Sequence, residues 1–141
     1  MKANPSTLKL LGAKQRRTPA ALNLVEIGTN TVPFTAVETL SRKLGIDSHQ
    51  LLEIIGLAPR TALRRRRDGY LKADEADRLL RVARVFEEAT RVFGSETKAS
   101  QWLNSPHALL DDAAPRTLLA SDAGAQQVRD ELIRIEYGDF A

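Results

Sequence analysis

The sequence predicts an all-α protein: an N-terminal bundle of short helices closed by one long helix, then a small helical unit. Three observations predict it. Between Thr35 and Phe93 the apolar residues recur at three- and four-residue spacing, the period of helices with one face turned inward. Residues that start or stop helices for a physical reason punctuate the same stretch. A chain of 141 residues with 43% hydrophobic content also suffices for one ordinary core. The expected divisions are a basic, weakly structured arm at 1–33, a bundle at 34–94 and a C-terminal unit at 95–141.

The arm carries Lys9, Lys14, Arg16 and Arg17 and is interrupted by Pro5, Pro19 and Pro33. Leu22, Leu24, Val25 and Ile27 form the one patch expected to be ordered, able to pack as a short strand or an extended segment. The arm either touches nucleic-acid phosphates or serves as a solubilising leader. Thr35-x-x-Glu38 then predicts a capping box, hydroxyl and carboxylate satisfying the orphan N–H groups of a first turn. Val37, Leu40 and Leu44 follow, and Gly45 stops that helix. Asp47-x-x-Gln50 predicts a second box, Leu51, Leu52, Ile54 and Ile55 supply a core face, and Gly56 ends it. Pro59 suits a first helical position and Asp68-Gly69 a helix end, so 59–67 reads as a short helix with five arginines in nine residues. Its Ala62 and Leu63 are expected to face inward.

The long helix is expected from about residue 74 to Phe93, with Asp74, Glu75 and Asp77 in its first turn and Gly94 beyond it. Its apolar positions sweep an arc of about 240°, too wide for the single stripe of a surface helix. Either it is the central helix of the domain, or it also supplies a dimer seam through Val82, Val85 and Ala89. Ser95 can cap a short helix through Ala99, Trp102 and Leu103, with Trp102 expected in the core. Asp111-Asp112 reads as a turn, and Pro115 opens a further short helix. Ser121 or Asp122 caps a last helix whose Ala125, Val128, Leu132 and Ile135 form a stripe that Gly138 closes. Tyr137 and Phe140 near the chain's end are expected to dock, either on the protein's own surface or on a partner's, since terminal residues are ordinarily polar and frayed.

Charge divides the chain. Residues 1–67 hold 12 Lys/Arg against 4 Asp/Glu; residues 68–141 hold 9 against 14. A basic half suggests nucleic acid and an acidic half another partner. Helix, tight glycine turn and basic helix is the helix-turn-helix arrangement, in which the second helix enters the DNA major groove. Arg60, Thr61 and Arg64 are expected near base edges, and Arg65, Arg66 or Arg67 near phosphates, with at least one arginine turned back along the protein. A basic helix that binds an acidic protein is the rival reading. No cysteine is present, so neither a disulfide nor a thiolate metal site is expected. His49 and His107 stand far apart, so no metal or cofactor is expected. No apolar run approaches the roughly 18 residues of a membrane helix, and no signal peptide is visible, so the expected compartment is the cytoplasm. No nucleophile–base pairing or phosphate loop points to an enzyme.

From Phe93-Gly94 onward the order Ala99, Trp102-Leu103, Pro106, Leu110, Pro115, Leu118-Leu119, Gly124, Val128, Arg134-Ile135-Glu136 and Gly138 resembles the Xre/MbcA/ParS antitoxins. The resemblance extends from about Thr35 to Ala141. It departs at Asp111-Asp112, where the family usually has Gly-Gly, and at Ala58, where a serine cap is usual. It implies a type II antitoxin. The C-terminal region would neutralise a cognate RES-domain toxin that consumes NAD, and the helix-turn-helix would bind operator DNA of its own operon. It further implies that Arg134, Glu136, Tyr137, Gly138, Asp139, Phe140 and Ala141 lie at or near the toxin. A homodimer within a larger toxin–antitoxin complex is expected from the candidate seam on the long helix and from the way helix-turn-helix proteins pair on two half-sites. The alternative is a freestanding helix-turn-helix transcriptional regulator without a toxin partner.

Overall fold

The structure, a computed structural model, describes residues 32–138. Asp139, Phe140, Ala141 and residues 1–31, including the apolar patch at 22–27, lie outside the described residues. Among the described residues there are seven α-helices: α1 (Thr35–Leu44), α2 (Ser48–Ile54), α3 (Pro59–Asp68), α4 (Ala73–Phe93), α5 (Glu96–Leu103), α6 (Pro115–Leu118) and α7 (Asp122–Glu136). A 3₁₀ turn, Ala108–Leu110, precedes α6.

Local chemistry sets most helix ends. Asp47 accepts the Gln50 N–H at 2.9 Å while the Gln50 side chain accepts the Asp47 N–H at 3.1 Å, so the second box forms. Ser95 and Ser121 accept the N–H groups of Lys98 and Gly124, both at 3.0 Å, and so cap α5 and α7. The first box does not form. Phe34 is already helical at φ −59° and ψ −30°, which places Thr35 inside the helix with its side chain exposed. The Pro33 and Phe34 carbonyls close that turn instead, accepting from Ala36 and Val37 at 3.0 Å each. Residues 32–34 are strapped to the far end of the bundle: Phe34 N–H donates to the Gly69 carbonyl at 2.9 Å and Leu71 N–H to the Val32 carbonyl at 3.1 Å.

α4 is the axis of the fold. Ala76, Leu79, Leu80, Val82, Ala83, Val85, Phe86 and Ala89 are all buried in one core with residues from α1, α2, α3, α5 and α7. α5 and α7 both pack along it. This corrects the dimer seam expected at Val82, Val85 and Ala89. Their exposures are 0%, 1% and 0% within a single chain, so the wide apolar arc is satisfied internally.

The C-terminal unit shares this core and caps its first helix. Ser100 Oγ and Asn104 Nδ2 both donate to the Leu44 carbonyl at 2.7 Å, completing the end of α1 from α5. Arg81 on α4 donates to the Leu119 and Ala120 carbonyls at 3.2 and 3.1 Å and pairs with Asp122, clasping the α6–α7 turn. Asp111 and Asp112 both occupy the left-handed region at φ 55° and 60°, a conformation aspartate tolerates better than most residues. Trp102 is half-buried, its ring 5.5 Å from that of Phe93 and 5.0 Å from that of His107.

Gly124, in the first turn of α7, lies where any Cβ would collide with the Leu118 carbonyl oxygen. That obstacle is backbone and cannot swing away. Gly124→Ala is therefore expected to cost about 1–3 kcal/mol, despite alanine's better helix propensity, and to lower the melting temperature by roughly 3–10 °C in a calorimetric or circular-dichroism melt.

Candidate nucleic-acid and partner interfaces

α2, the glycine turn and α3 form the helix-turn-helix frame. Leu51, Leu52, Ile55 and Leu57 fix α2 and the turn in the core, and Arg78 Nε on α4 donates to the Ile55 carbonyl at 2.6 Å. Gly56 takes φ 74°, the left-handed conformation that lets the chain reverse before Ala58. Pro59 then opens α3 without a side-chain cap, and Gly69 at φ 92° ends it.

The rotation of α3 is set by two residues, Ala62 and Arg65, which alone on this helix are buried. Arg65 is 6% exposed. Its Nε donates to Glu75 Oε1 at 2.7 Å, and the same oxygen accepts the Lys72 N–H at 2.9 Å. One carboxylate thus closes the first turn of α4 and holds α3 against it. Burial pushes the Glu75 carboxyl up, but the Arg65 hydrogen bond, the Lys72 N–H and the guanidinium charge together hold it below its ordinary value. Arg65, expected at DNA phosphate, is instead the arginine turned back along the protein, its guanidinium held inward by Glu75. Leu63 is corrected in the opposite sense. Expected inward, it is 64% exposed.

The remaining arginines face solvent. Arg66 lies over the Phe34 ring at 5.0 Å and pairs with Glu38 at 3.6 Å. Arg60, Arg64 and Arg67 are exposed and have no ion-pair partner among the described residues, and Thr61 beside them is half-exposed. Such a face can clamp phosphates and fork onto guanine edges.

The second candidate surface lies at the end of α7. Ala125, Val128 and Leu132 turn inward, which leaves Ile133 and Tyr137 on the opposite side, one turn apart, with Tyr137 77% exposed. Ile133 is not among the residues the sequence points to at this surface, although its position off the apolar stripe signals exposure. Arg134 is exposed and pairs with Glu131 at 3.2 Å; Glu136 pairs with Arg91 on α4 and anchors the end of α7 there. Gly138, at φ 66°, turns the chain after Tyr137. A groove of about 530 Å³ between α4 and α7 is lined by Arg78, Arg81, Arg84 and Arg129 among others, but Arg78, Arg81 and Arg129 already hold carbonyls or carboxylates of the fold.

Comparison with known proteins matches the chain to two known domains. Residues 24–84 match the antitoxin Xre-like helix-turn-helix domain, and residues 88–138 match the antitoxin Xre/MbcA/ParS C-terminal toxin-binding domain. The chain is 32% identical over 109 residues to an "Antitoxin Xre" of Photorhabdus laumondii, covering 76% of this chain and 74% of that protein. It is 29% identical over 127 residues to an "Antitoxin Xre" of Yersinia enterocolitica, covering 87% and 86%. A third "Antitoxin Xre", from Pseudomonas putida, is 38% identical over 72 residues, 51% of this chain and 45% of that protein.

The Arg65–Glu75 pair makes a stability prediction. Glu75→Ala leaves a buried guanidinium with Asp68, at 3.8 Å, as its one remaining ion-pair partner among the described residues, and is expected to cost about 3 kcal/mol. Because the folded carboxyl titrates below an ordinary unfolded value of about 4.3, its contribution is full above that pH and is lost as pH falls through the lower folded value. The melting-temperature gap between the native chain and Glu75→Gln should therefore be constant near neutrality and close below about pH 4. A gap that persists unchanged to pH 3 would refute this role.

Proposed function

The chain belongs to the Xre/MbcA/ParS family of antitoxins, and we propose that it neutralises a cognate RES-domain toxin, an enzyme that consumes NAD, while its basic helix represses the operon encoding both. Inhibition is stoichiometric: the C-terminal end occupies the approach to the toxin's active site and performs no chemistry of its own. The proposed division of labour assigns DNA to residues 34–94 and toxin to residues 95–141, with the whole acting in the cytoplasm.

One observation carries this reading. Two surfaces that the core leaves without internal work differ in chemistry: Arg60, Arg64 and Arg67 are displayed on α3, and Ile133 and Tyr137 at the end of α7. On α3, Arg60, Thr61 and Arg64 are assigned to base edges and Arg67 to phosphate, the contacts an arginine fork makes best. At the end of α7, Tyr137 with Arg134, Gly138, Asp139, Phe140 and Ala141 is assigned to the toxin. An exposed aromatic at the end of a well-anchored helix fits the large, rigid anchor that dominates many interfaces. Glu136 belongs to this set by position, and its pairing with Arg91 gives it an anchoring part as well. A homodimer reading two half-sites stays within the proposal, through a surface other than the buried face of α4.

Replacing Arg60 and Arg64 together by alanine should weaken binding to the chain's own promoter duplex by about a hundredfold or more, at fixed salt and with an unchanged melting curve. Retained specific binding would remove α3 from the DNA interface. Deleting residues 137–141 should abolish rescue of cells from the toxin encoded by the neighbouring gene while leaving promoter affinity intact. Full rescue by the truncated chain would overturn the toxin assignment, and the absence of any such toxin would favour a freestanding regulator.

A further inference from the structure

We propose that Leu63 is a base-reading residue that contacts the 5-methyl group of a thymine in the operator. This rests on the DNA-reading role proposed for α3 and names part of what that helix recognises.

A single exposed leucine is ordinary on a protein surface. The orientation of this one is not explained by burial. On α3 an arginine is turned into the protein and the helix's only leucine is turned out. Burial alone would rotate the helix the other way. The bond from Arg65 to Glu75 prevents this, and with Ala62 it defines the inward direction. At about 100° per residue, Arg60 and Arg67 then point almost directly outward, while Leu63 and Arg64 flank them, each about 130° from the inward direction. Leu63 is thus part of the same presented face as three arginines that have no ion-pair partner among the described residues.

The neighbours decide the occupant. The guanidinium groups that frame this apolar side chain, which no described carboxylate pairs, repel another copy of the same helix and suit a polyanion. In a major groove the arginines can take phosphate oxygens or guanine edges, but neither contact favours thymine. Leucine has no donor or acceptor, so the one base feature it can select is the thymine methyl, which it shields from water by van der Waals contact. The position is also free to vary. Leu63 is 64% exposed, and alanine is at least as good a helix former, so Leu63→Ala should fold as the native chain does.

The test uses a duplex selected from random sequence by the purified full chain, with its thymines replaced singly by 2′-deoxyuridine, which lacks only the methyl. For the native chain one replacement in each half-site should weaken binding by about three- to tenfold. Leu63→Ala should lose a similar factor on the parent duplex and be indifferent to that same replacement, with an unchanged melting curve. The proposal is overturned if no single replacement affects the native chain, or if Leu63→Ala responds to every replacement as the native chain does. It is overturned in favour of a protein contact if Leu63→Lys changes the mass measured by light scattering while the native thymine response persists. If the Arg60→Ala, Arg64→Ala double variant binds the selected duplex like the native chain, the DNA role of α3 itself fails, and this inference with it.

Discussion

α4 carries apolar side chains over too much of its circumference to face water on any broad side, and the rest of the chain is placed to cover it. α5 and α7 pack along its length, and the helix-turn-helix contributes Leu51, Leu52 and Ile55 to the same core. Hydrophobic burial scales with apolar area removed from water, so neither half alone can satisfy this helix. The polar contacts between the halves follow the same logic. Ser100 and Asn104 complete the end of α1, Arg81 holds the α6–α7 turn, and the Arg129–Glu88 and Arg91–Glu136 pairs tie α7 to α4. The exposed pairs add little energy individually, but they fix the register in which the helices meet.

Within that frame the Arg65–Glu75 pair decides what the basic helix presents. α3 buries little apolar surface of its own, so its rotation cannot be set by a hydrophobic stripe. A buried charge pair is a poor source of net stability but a strict geometric constraint, because each ion has few positions in which it is not left unpaired. Glu75 is doubly constrained, since it also accepts the Lys72 N–H at the start of α4. The arginines that remain outside are therefore displayed in one orientation. At the other end, α7 is held by Glu136 just before Tyr137, so the exposed aromatic projects from an anchored helix.

Most element ends were legible in the sequence because their causes are local. Asp47 with Gln50, the serines at 95 and 121, Pro59, Pro115 and the glycines at 45, 69 and 94 act within a few residues of themselves, and the structure uses each as expected. Thr35 failed because Phe34 is already helical, a fact fixed by the pairing of Val32 and Phe34 with residues 69–71 and not by the Thr35-x-x-Glu38 spacing. Periodicity showed that Val82, Val85 and Ala89 must be covered but could not say by what, and the cover is the same chain. For the basic helix, composition announced the arginines but not their directions. The residue that sorts them, Glu75, lies beyond a turn on another helix, where it read only as a favourable first-turn charge.

The capping of α1 by Ser100 and Asn104, and the covering of α4 by α7, give the order of synthesis a consequence. A ribosome releases residues 34–94 first, with one side of α4 still in water and the Leu44 carbonyl without Ser100 and Asn104. That half completes its core only when residues near Leu132 have emerged, a few residues before the end that is assigned to the toxin. A chain terminated before α7 leaves that side of α4 without its apolar cover. Both proposed activities come from the same finished chains, so damage to the message lowers operon repression and toxin neutralisation together.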